Sequence, residues 1–397
     1  MKLSLASPGA ARAPSPTCTR PLRVLAISAK SGGGHDGTAQ ALRNLLERAY
    51  EGDIRWQCLD VYEGRLRMLP WLARVRQHAT VLWSAFLALS DRRWFIALAR
   101  WVLKDRCTRS VLARTIDTPD LVIATHFVAA QILDSVASGF PVRPATVIVA
   151  TDYRPHRAWF SPADMLIVSR EPGLALARAC LGSSQRILAS TLLPCMPAAA
   201  RRAGREVTAR RRIIAVMGAD GTSGSKLIRL LHAIGRQTWA SRLEIEVVCG
   251  HNARLRERVI QHALRDAPEP GAPQRAGLRV VALGYVNNLP ERIAAADICL
   301  LRASPLVMTE AVAAATPVIA FDWHAHERAN ASLLEHWGCG RMSRSIPQLV
   351  RILQEWTLNE ASLACAREAA RNIASQTLGV REMRGLLQQV FDGRGAP

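Results

Sequence analysis

Short apolar runs alternate with helix-like stretches along almost the whole chain, and this alternation constrains the fold more than any other feature. The runs are bounded by Gly, Asp or Thr, as expected of strands that are buried on both faces of a parallel sheet. Helical periodicity separates them, for example over residues 38–50, 226–239 and 253–264. The pattern predicts an α/β protein with doubly wound parallel sheets. The predicted strands lie at 22–28, 120–126, 145–151, 164–169, 212–218, 244–250, 278–284, 297–301 and 317–321.

The predicted strands fall into two groups, and a stretch rich in Pro, Ala and Arg separates them. Such a stretch is typical of an inter-domain linker. We therefore expect two Rossmann-like domains with a cleft between them. The predicted boundaries are a disordered tail at 1–20, an N-terminal domain at 21–195, the linker at 196–211, a C-terminal domain at 212–375 and a C-terminal helix at 376–397.

The charge balance is strongly basic. Lys and Arg number 52 against 32 Asp and Glu, which gives the 397-residue chain a formal charge of +20. Only four of the 52 are Lys, so the excess is almost entirely Arg. An excess of this size indicates an anionic partner, which could be a phosphate ligand, a nucleic acid or a membrane surface. The sequence has no zinc-ligand spacing, basic helix repeat or ribonucleoprotein aromatic motif, so no nucleic acid is expected.

The cysteines and the apolar runs indicate a cytoplasmic protein. The nine Cys include no CxxC pair, so we expect reduced thiols with neither a disulfide framework nor a metal site. No apolar stretch approaches the ~20 residues that a membrane-spanning helix needs. The first 20 residues lack the apolar core of a cleaved signal peptide, so none is expected.

A glycine-rich turn joins the first predicted strand to the following helix. It contains Gly32, Gly33 and Gly34 and ends at His35. Three glycines allow a tight turn and the close approach of a ligand to backbone amides, and a helix N-terminus favours negative charge. His35 stands where a general base could face the cleft. The alternative is that His35 only caps the helix or hydrogen-bonds within the turn.

Two further turns open helices in the second half. Gly218, Gly221 and Thr222 follow the strand at 212–218 and form either an anion site or a plain turn. Ser304 is a good N-cap and Pro305 a good first helical residue. Glu310 then falls in the second turn of that helix. A carboxylate there can accept hydrogen bonds from a ribose, although a solvated glutamate is the alternative.

Several motifs occur in a fixed order along residues 22–340, and together they resemble one family. They are S-x-x-x-G-G-G-H ending at His35, Thr151-Asp152-Tyr153 followed by H-x-x-W at 156–159, Gly-Tyr-Val at 284–286, Ala-Ala-Ala-Asp at 294–297, Thr-Glu-Ala at 309–311, and Glu327 with Asn330. The chain resembles the monogalactosyldiacylglycerol synthase family of glycosyltransferases. More distantly, it resembles the peptidoglycan glycosyltransferase that forms lipid II.

The resemblance implies a fold and an activity. Both relatives have the GT-B fold, in which two Rossmann-like domains with parallel sheets face a central cleft. The implied reaction moves a hexose, galactose or glucose, from a UDP-sugar to a lipid with inversion. The implied acceptor is diacylglycerol, with a polyprenyl-linked or other amphiphile as the alternative. The N-terminal domain would face acceptor and membrane, and the C-terminal domain would bind the UDP-sugar without a tightly bound cofactor or metal.

The resemblance also implies residue roles. His35 would take the proton from the acceptor hydroxyl, with Asp152 as the rival base or as the group that orients it. The glycine turn at 32–34 would form a loop for acceptor or phosphate, and Trp159 would shape the acceptor entrance. The donor-binding residues would be Gly218, Gly221 and Thr222 at the diphosphate, Val286 at the uracil, Glu310 at the ribose, and His326 and Glu327 at the sugar. Ser304 is also expected on the donor side.

Two segments depart from the family pattern. Arg302-Ala303-Ser304-Pro305 stands where the family has Lys-Pro-Gly-Gly, and His324-Ala325-His326-Glu327 stands where it has Pro-Gly-Gln-Glu. A His can replace one hydrogen bond of the Gln, but not the paired donor and acceptor of an amide. These departures leave open a catalytically weak nucleotide-sugar-binding protein at the membrane. A UDP-sugar hydrolase or epimerase on the same fold is a further alternative.

Tryptophan and arginine alternate around apolar residues at 65–106. This composition is typical of helices that lie in a lipid interface, where Trp83, Trp94 and Trp101 would insert and the arginines would meet anionic headgroups. We therefore expect peripheral association with the inner face of the cell membrane. The alternative is an ordinary helical pair packed on its own domain.

Overall fold

A computed structural model of the chain describes most of the sequence. The described residues are 20–29, 33–63, 89, 91–196, 210–217, 223–239, 241–265, 278–323 and 327–392. Some predicted features lie outside them. These are the tail at 1–19, the linker at 197–209, and the site residues Gly32, Trp83, Gly218, Gly221, Thr222 and His326.

The N-terminal half forms a six-stranded sheet of order β2-β1-β3-β4-β5-β6, and every pairing is parallel. Its central strands are completely buried and almost entirely apolar, as the predicted pattern requires. The strands are β1 (Leu22–Ser28), β2 (Ile54–Asp60), β3 (Leu121–Ala124), β4 (Ala145–Val149), β5 (Met165–Ser169) and β6 (Ile187–Ser190). The helices are α1 (Gly33–Ala49), α2 (Arg93–Leu112), α3 (Phe127–Ala137) and α4 (Gly173–Leu181), with a 3₁₀ turn at Arg157–Trp159.

The C-terminal half forms a second parallel sheet, of order β12-β11-β10-β7-β8-β9. Its strands are β7 (Arg210–Val216), β8 (Arg242–Val248), β9 (Leu278–Leu283), β10 (Ile298–Leu301), β11 (Val318–Phe321) and β12 (Gly340–Ser343). Its helices are α5 (Gly224–Gly235), α6 (Ala253–Arg265), α7 (Leu289–Ala295), α8 (Pro305–Ala313), α9 (Arg328–His336), α10 (Ile346–Leu358) and α11 (Glu360–Ala374). The fold-class prediction of two Rossmann-like sheets is confirmed.

The strand order reverses between β1 and β3 in the first sheet and between β7 and β10 in the second. In open parallel sheets, ligands bind outside the carboxyl ends of strands at such switch points. Helix α1, with the predicted base His35, follows β1, and α8, with Glu310, follows β10. The topology therefore places both predicted site helices at switch points.

Three strands were not predicted from the sequence. Strands β2, β6 and β12 lie in the outer parts of the sheets, and many of their residues are only half-buried. They carry polar residues, as in Ile-Arg-Trp-Gln-Cys-Leu-Asp of β2, because only part of each strand packs against the core. The continuous apolar run that marks a central strand is therefore missing from them.

The last helix, α12 (Val380–Phe391), crosses back to the N-terminal sheet. Its buried residues Met383, Leu386 and Val390 pack in the same core cluster as β1, β4 and α1. Arg384 Nε donates to the carbonyl of Ala49 at 3.1 Å, at the end of α1. Helix α11, by contrast, buries Leu363 and Ala366 in the core of the C-terminal sheet. The C-terminal segment thus ties the two halves together.

Within the part of the chain that the structure describes, no helix has the length and apolarity to cross a bilayer.

Replacing Leu386 by Ala should destabilise the N-terminal half, because this side chain is 3% exposed in that half's core. Removing a buried Leu side chain costs about 2–5 kcal/mol. Urea unfolding with hydrogen exchange of β1 and β4 amides measures the effect, and the exposed Gln388→Ala on the same helix is the control. Unchanged protection of those amides in Leu386→Ala would contradict the docking of α12.

Candidate active site

His35 lies in the first turn of α1, and its ring orientation is fixed by the ends of two other strands. Its Nδ1 lies 2.8 Å from the carbonyl oxygen of Thr125, which follows β3, and 3.1 Å from Oγ1 of Thr151, which follows β4. A carbonyl can only accept a hydrogen bond, so this contact assigns the proton to Nδ1. In the neutral ring, Nε2 is then the basic nitrogen. This is the tautomer that a general base needs.

The turn around His35 is held by short hydrogen bonds. Ser28 Oγ, at the end of β1, donates to Asp36 Oδ1 at 2.7 Å, and Thr38 Oγ1 donates to the carbonyl of Gly34 at 3.1 Å. A Cβ built on Gly34 would meet nothing within 4 Å. Gly33 begins the helix, so both described glycines of the predicted loop lie in the turn beside His35.

His126 is a second histidine of this site that sequence reasoning missed. It follows β3, is buried, and its ring centroid lies 4.7 Å from that of His35. Its Nδ1 accepts from the backbone N–H of Val128 and so caps α3. Burial, and secondarily the neighbouring His35, hold the pKa of His126 well below its ordinary value. The Thr-His pair directly after a buried strand was the available sequence signal.

Asp152 lies in the loop after β4, and Trp159 fixes its carboxylate. The indole Nε1 of Trp159 donates to Asp152 Oδ2 at 2.8 Å. The sequence interpretation of Trp159 as a residue that shapes the acceptor entrance requires a correction. Its side chain is fully buried in the core of the N-terminal sheet, because the indole packs inward while its N–H reaches the carboxylate. Trp159 therefore orients Asp152 and does not line an opening.

The donor-side candidate Glu310 is a buried acid on an apolar helix. It is 5% exposed on α8, next to Met308, Ala311 and Val312, which are completely buried. Within the described residues, Glu310 Oε2 has no hydrogen-bond partner. Burial, with a smaller effect of Glu291, raises the pKa of Glu310 to about 7. An unpaired buried carboxylate is costly and indicates a group awaiting a ligand.

The start of α8 has the geometry predicted for it. Ser304 is the N-cap, with extended backbone and no side-chain capping bond, and Pro305 is at the first helical position. Ala303, just before it, has a left-handed φ of 54°. Asn330 Nδ2 donates to the carbonyl of Ala303 at 2.9 Å, which holds this conformation. The segment 302–305, which departs from the family pattern, is therefore stabilised by a hydrogen bond from Asn330.

Glu327 is 2% exposed, and its carboxylate is already engaged. Arg302 Nε lies 3.3 Å from Glu327 Oε2, and the side chains of Arg302 and Glu327 are 13% and 3% exposed. This ion pair joins the two segments that depart from the family pattern. A contact between Glu327 and the donor sugar therefore requires the carboxylate to bind the sugar while it stays paired with Arg302. Val286 follows β9 and packs, half-buried, against the core beside α8.

A cavity of about 1200 Å³ opens between the two halves beside Asp152. Its floor is apolar and includes Phe160, Leu176 and Leu333, and its walls come from both halves of the chain. Four arginines contribute to its lining: Arg92, Arg154, Arg157 and Arg328. Pockets for small molecules typically measure about 300–1,000 Å³. The cavity is thus large enough for an amphiphile with an apolar body.

Helix α2 begins at the edge of this cavity and carries an exposed apolar stripe. Trp94, Leu98 and Trp101 are spaced on one face of the helix and are 61%, 50% and 79% exposed. Arg92 and Arg93 at its start are also exposed. The described residues of the predicted interfacial segment therefore present apolar side chains to solvent, next to positive charge.

No group of three or more His, Cys, Asp or Glu that could hold a metal ion occurs among the described residues.

Comparison with known proteins confirms the resemblance that the motifs predicted. The model of the monogalactosyldiacylglycerol synthase family matches residues 35–172, a span that begins at His35 and includes Asp152. The processive diacylglycerol beta-glucosyltransferase of Staphylococcus carnosus is 21% identical over 65% of this chain and 64% of its own length. Monogalactosyldiacylglycerol synthase 1 of Arabidopsis thaliana is 22% identical over 85% of this chain and 65% of its own. The chain thus spans less than two thirds of these two relatives.

Solved structures confirm the GT-B prediction. MurG of Acinetobacter baumannii superposes with a TM-score of 0.55 at 16% identity, over 93% of this chain and 100% of MurG. A UDP-glucosyltransferase of Polygonum tinctorium superposes with a TM-score of 0.59 at 12% identity, over 95% of this chain and 100% of that one. At such identities the likeness concerns the fold.

The raised pKa of Glu310 predicts a stability cost at neutral and alkaline pH. The unfolded carboxyl releases its proton near pH 4.5 and the folded one near pH 7. Between these values the folded state holds the extra proton, so the free energy of unfolding falls as the pH rises. Glu310→Gln cannot ionise and should escape this loss. Relative to the parent it should gain up to about 3 kcal/mol between pH 4 and pH 8.

Urea unfolding of both proteins at the two pH values measures this gain. The exposed Glu257→Gln on α6 serves as the matched control and should follow the parent. Parallel pH dependence of parent and Glu310→Gln would show that Glu310 is not the titrating group.

Proposed function

We propose that this protein is an inverting glycosyltransferase that moves a hexose from a UDP-sugar to the hydroxyl of a lipid, with diacylglycerol as the acceptor. The observation that carries the proposal is the pairing of two groups across the cleft. His35, in the tautomer of a base, lies at the switch point of one sheet. The buried Glu310, whose Oε2 has no hydrogen-bond partner in the described part of the chain, lies at that of the other. The family match over residues 35–172 supports the same chemistry.

Glu310 binds the ribose of the donor in this proposal. Its unpaired carboxylate oxygen accepts from a ribose hydroxyl, and the charge-assisted bond offsets the cost of ionising the buried acid. The N-terminus of α8 at Ser304, with Gly218, Gly221 and Thr222, neutralises the diphosphate. Val286 contacts the uracil. His326 contacts the sugar hydroxyls, and Glu327 contributes from its ion pair with Arg302.

His35 activates the acceptor. An alcohol is a poor nucleophile at neutral pH, so its proton must leave as the new bond forms. Nε2 of His35 takes this proton, and the carbonyl of Thr125 stabilises the resulting imidazolium through Nδ1–H. A single displacement from the face opposite the diphosphate inverts the anomeric centre. Asp152, oriented by Trp159, is the rival base.

The lipid reaches the site through the cavity beside Asp152. Its apolar floor suits the body of an amphiphile, and the exposed stripe of α2 at its edge suits a bilayer surface. The arginines around both features favour an anionic leaflet, where each basic residue contributes ~1 kcal/mol. These features support attachment of the protein to the cytoplasmic face of a membrane.

The direct experiment incubates the protein with diacylglycerol-containing vesicles and labelled UDP-glucose or UDP-galactose. The expected product is a labelled glycolipid with inverted anomeric configuration. Unchanged donor would instead indicate a nucleotide-sugar-binding protein, while free sugar or epimerised donor would indicate a hydrolase or epimerase. Any of these three results in place of glycolipid rejects the proposed transfer.

His35→Ala should lower turnover about 10²- to 10⁴-fold, the usual contribution of a general base. UDP affinity should stay within about twofold of the parent. The acidic limb of the pH–rate profile should flatten, because only a neutral imidazole accepts the proton. His232→Ala, an exposed histidine on α5, is the control. Near-parental turnover with the same acidic limb in His35→Ala would assign the base to Asp152.

Replacing both Trp94 and Trp101 by Ser should release the protein from anionic vesicles, because it removes the largest exposed apolar side chains of α2. Raised salt should also weaken binding of the parent by screening the arginines. Vesicle sedimentation measures both effects. Ile116→Ser removes an equally exposed apolar residue, 83% exposed, at a distance from the stripe and should have no effect. Parental sedimentation of the double variant would reject the stripe as an anchor.

A further inference from the structure

Helix α8 of the C-terminal half packs directly against the two segments that carry the base candidates. Leu306, in its first turn, lies over Gly37, two residues after His35. A Cβ added to Gly37 would lie 2.4 Å from Leu306 Cδ2, so only glycine allows this approach without a shift. One turn further on, Thr309 Oγ1 lies 2.7 Å from the phenol oxygen of Tyr153. Both partners of this hydrogen bond are buried.

The direction of the Tyr153–Thr309 hydrogen bond follows from its neighbours. Thr309 Oγ1 lies 2.7 Å from the carbonyl oxygen of Pro305, which can only accept. The single hydroxyl proton of Thr309 is therefore used within α8. Tyr153 must then be the donor to Thr309 across the two halves of the molecule. Replacing Tyr153 by Phe removes this donor, together with the hydrogen bond between its hydroxyl and the backbone of Leu193.

Tyr153 belongs to one half of the chain by sequence and to the other by packing. Its backbone carbonyl accepts from Ser169 Oγ at 2.6 Å, which holds it to the end of β5. Its ring, completely buried, joins the core cluster of the C-terminal half and meets Trp337 edge-on, with centroids 5.6 Å apart. Tyr153 thus connects the core of one half to the backbone of the other.

Tyr153 and Thr309 are each one residue from a group that the proposed function uses. Asp152 precedes Tyr153, and Glu310 follows Thr309. The Tyr153–Thr309 hydrogen bond therefore links the backbone next to Asp152 with the backbone next to Glu310, the proposed ribose-binding residue. We propose that Tyr153 is a positioning residue. Its bond to Thr309 sets the distance between the acceptor-activating groups and the donor held on α8.

This inference rests on the proposed function, and it predicts a particular kinetic effect. Glu310 stays in place without the bond, so UDP should bind as before. The base side, however, is no longer held against α8, and misplacement of about 1 Å can cost about 10²-fold in rate. Tyr153→Phe should therefore lower kcat about 10- to 100-fold while UDP affinity measured by calorimetry stays within twofold.

The control and the partner variants separate positioning from general destabilisation. Tyr50→Phe removes another tyrosine hydrogen bond, to the carbonyl of Arg20 at 2.8 Å within the N-terminal half, and should leave kcat unchanged. Thr309→Val should reproduce the loss of Tyr153→Phe, and the double variant should add little to it because both remove one bond. Thr309→Ser keeps the hydroxyl and should retain parental kcat.

Different outcomes test the positioning role of Tyr153 and the proposed glycosyltransferase function. A parent that makes no glycolipid overturns the proposed function and this inference with it. An active parent whose Tyr153→Phe variant keeps parental kcat overturns the positioning role alone. So does a variant that loses UDP affinity and kcat by the same factor, or a double variant whose loss is the product of the single losses.

Discussion

The burial of α8 between the two sheets is the constraint on which the candidate site depends. The helix is apolar on nearly all sides, with Met308, Ala311 and Val312 fully buried. One face packs in the core of the C-terminal half, and another reaches α1 and Tyr153 across the cleft. Because both halves contact the same short helix, the ends of β1, β4 and β10 are brought to one place. His35 and Glu310, from distant parts of the sequence, thus lie on two helices that contact each other at Gly37 and Leu306.

In this apolar surrounding, the ionised form of Glu310 is energetically unfavourable. A carboxylate with no partner for Oε2 among the described residues, on an otherwise apolar helix, is disfavoured in its charged form, and this is why its pKa rises to about 7. Buried acids of this kind are typical of sites where a bound ligand offsets the free-energy cost of burying the charge. Glu327 illustrates the opposite solution, since its equally buried carboxylate is matched by Arg302. The two buried acids therefore differ in whether a positive charge of the protein is paired with them.

The N-terminal half combines a rigid centre with an exposed flank. Thr125, His126 and Thr151 are buried and fix His35 through strand ends. By contrast, α2 exposes Trp94 and Trp101, and the residues just before this helix, Asp91 and Arg92, line the large cavity. Large exposed aromatics are unfavourable in water and mark surfaces that meet a partner. In the proposed function, the buried part holds the chemistry and the exposed part meets the membrane that carries the lipid.

The sequence by itself determined the sheets and the motifs. Continuous apolar runs in β3, β4 and β11 fit strands buried on both faces, so they predicted central parallel strands. The half-exposed strands β2, β6 and β12 lack such runs and were not predicted. The glycine turn likewise placed His35 at a helix start. Only the tertiary structure decided how these residues are used. It buried Trp159 behind Asp152, added His126 and tied Tyr153 to Thr309. It also left Glu310 Oε2 without a hydrogen-bond partner among the described residues. The physical reason is that strand and helix patterns depend on neighbouring residues, whereas burial and many hydrogen-bond partners depend on distant ones, as in the Tyr153–Thr309 bond across 156 positions.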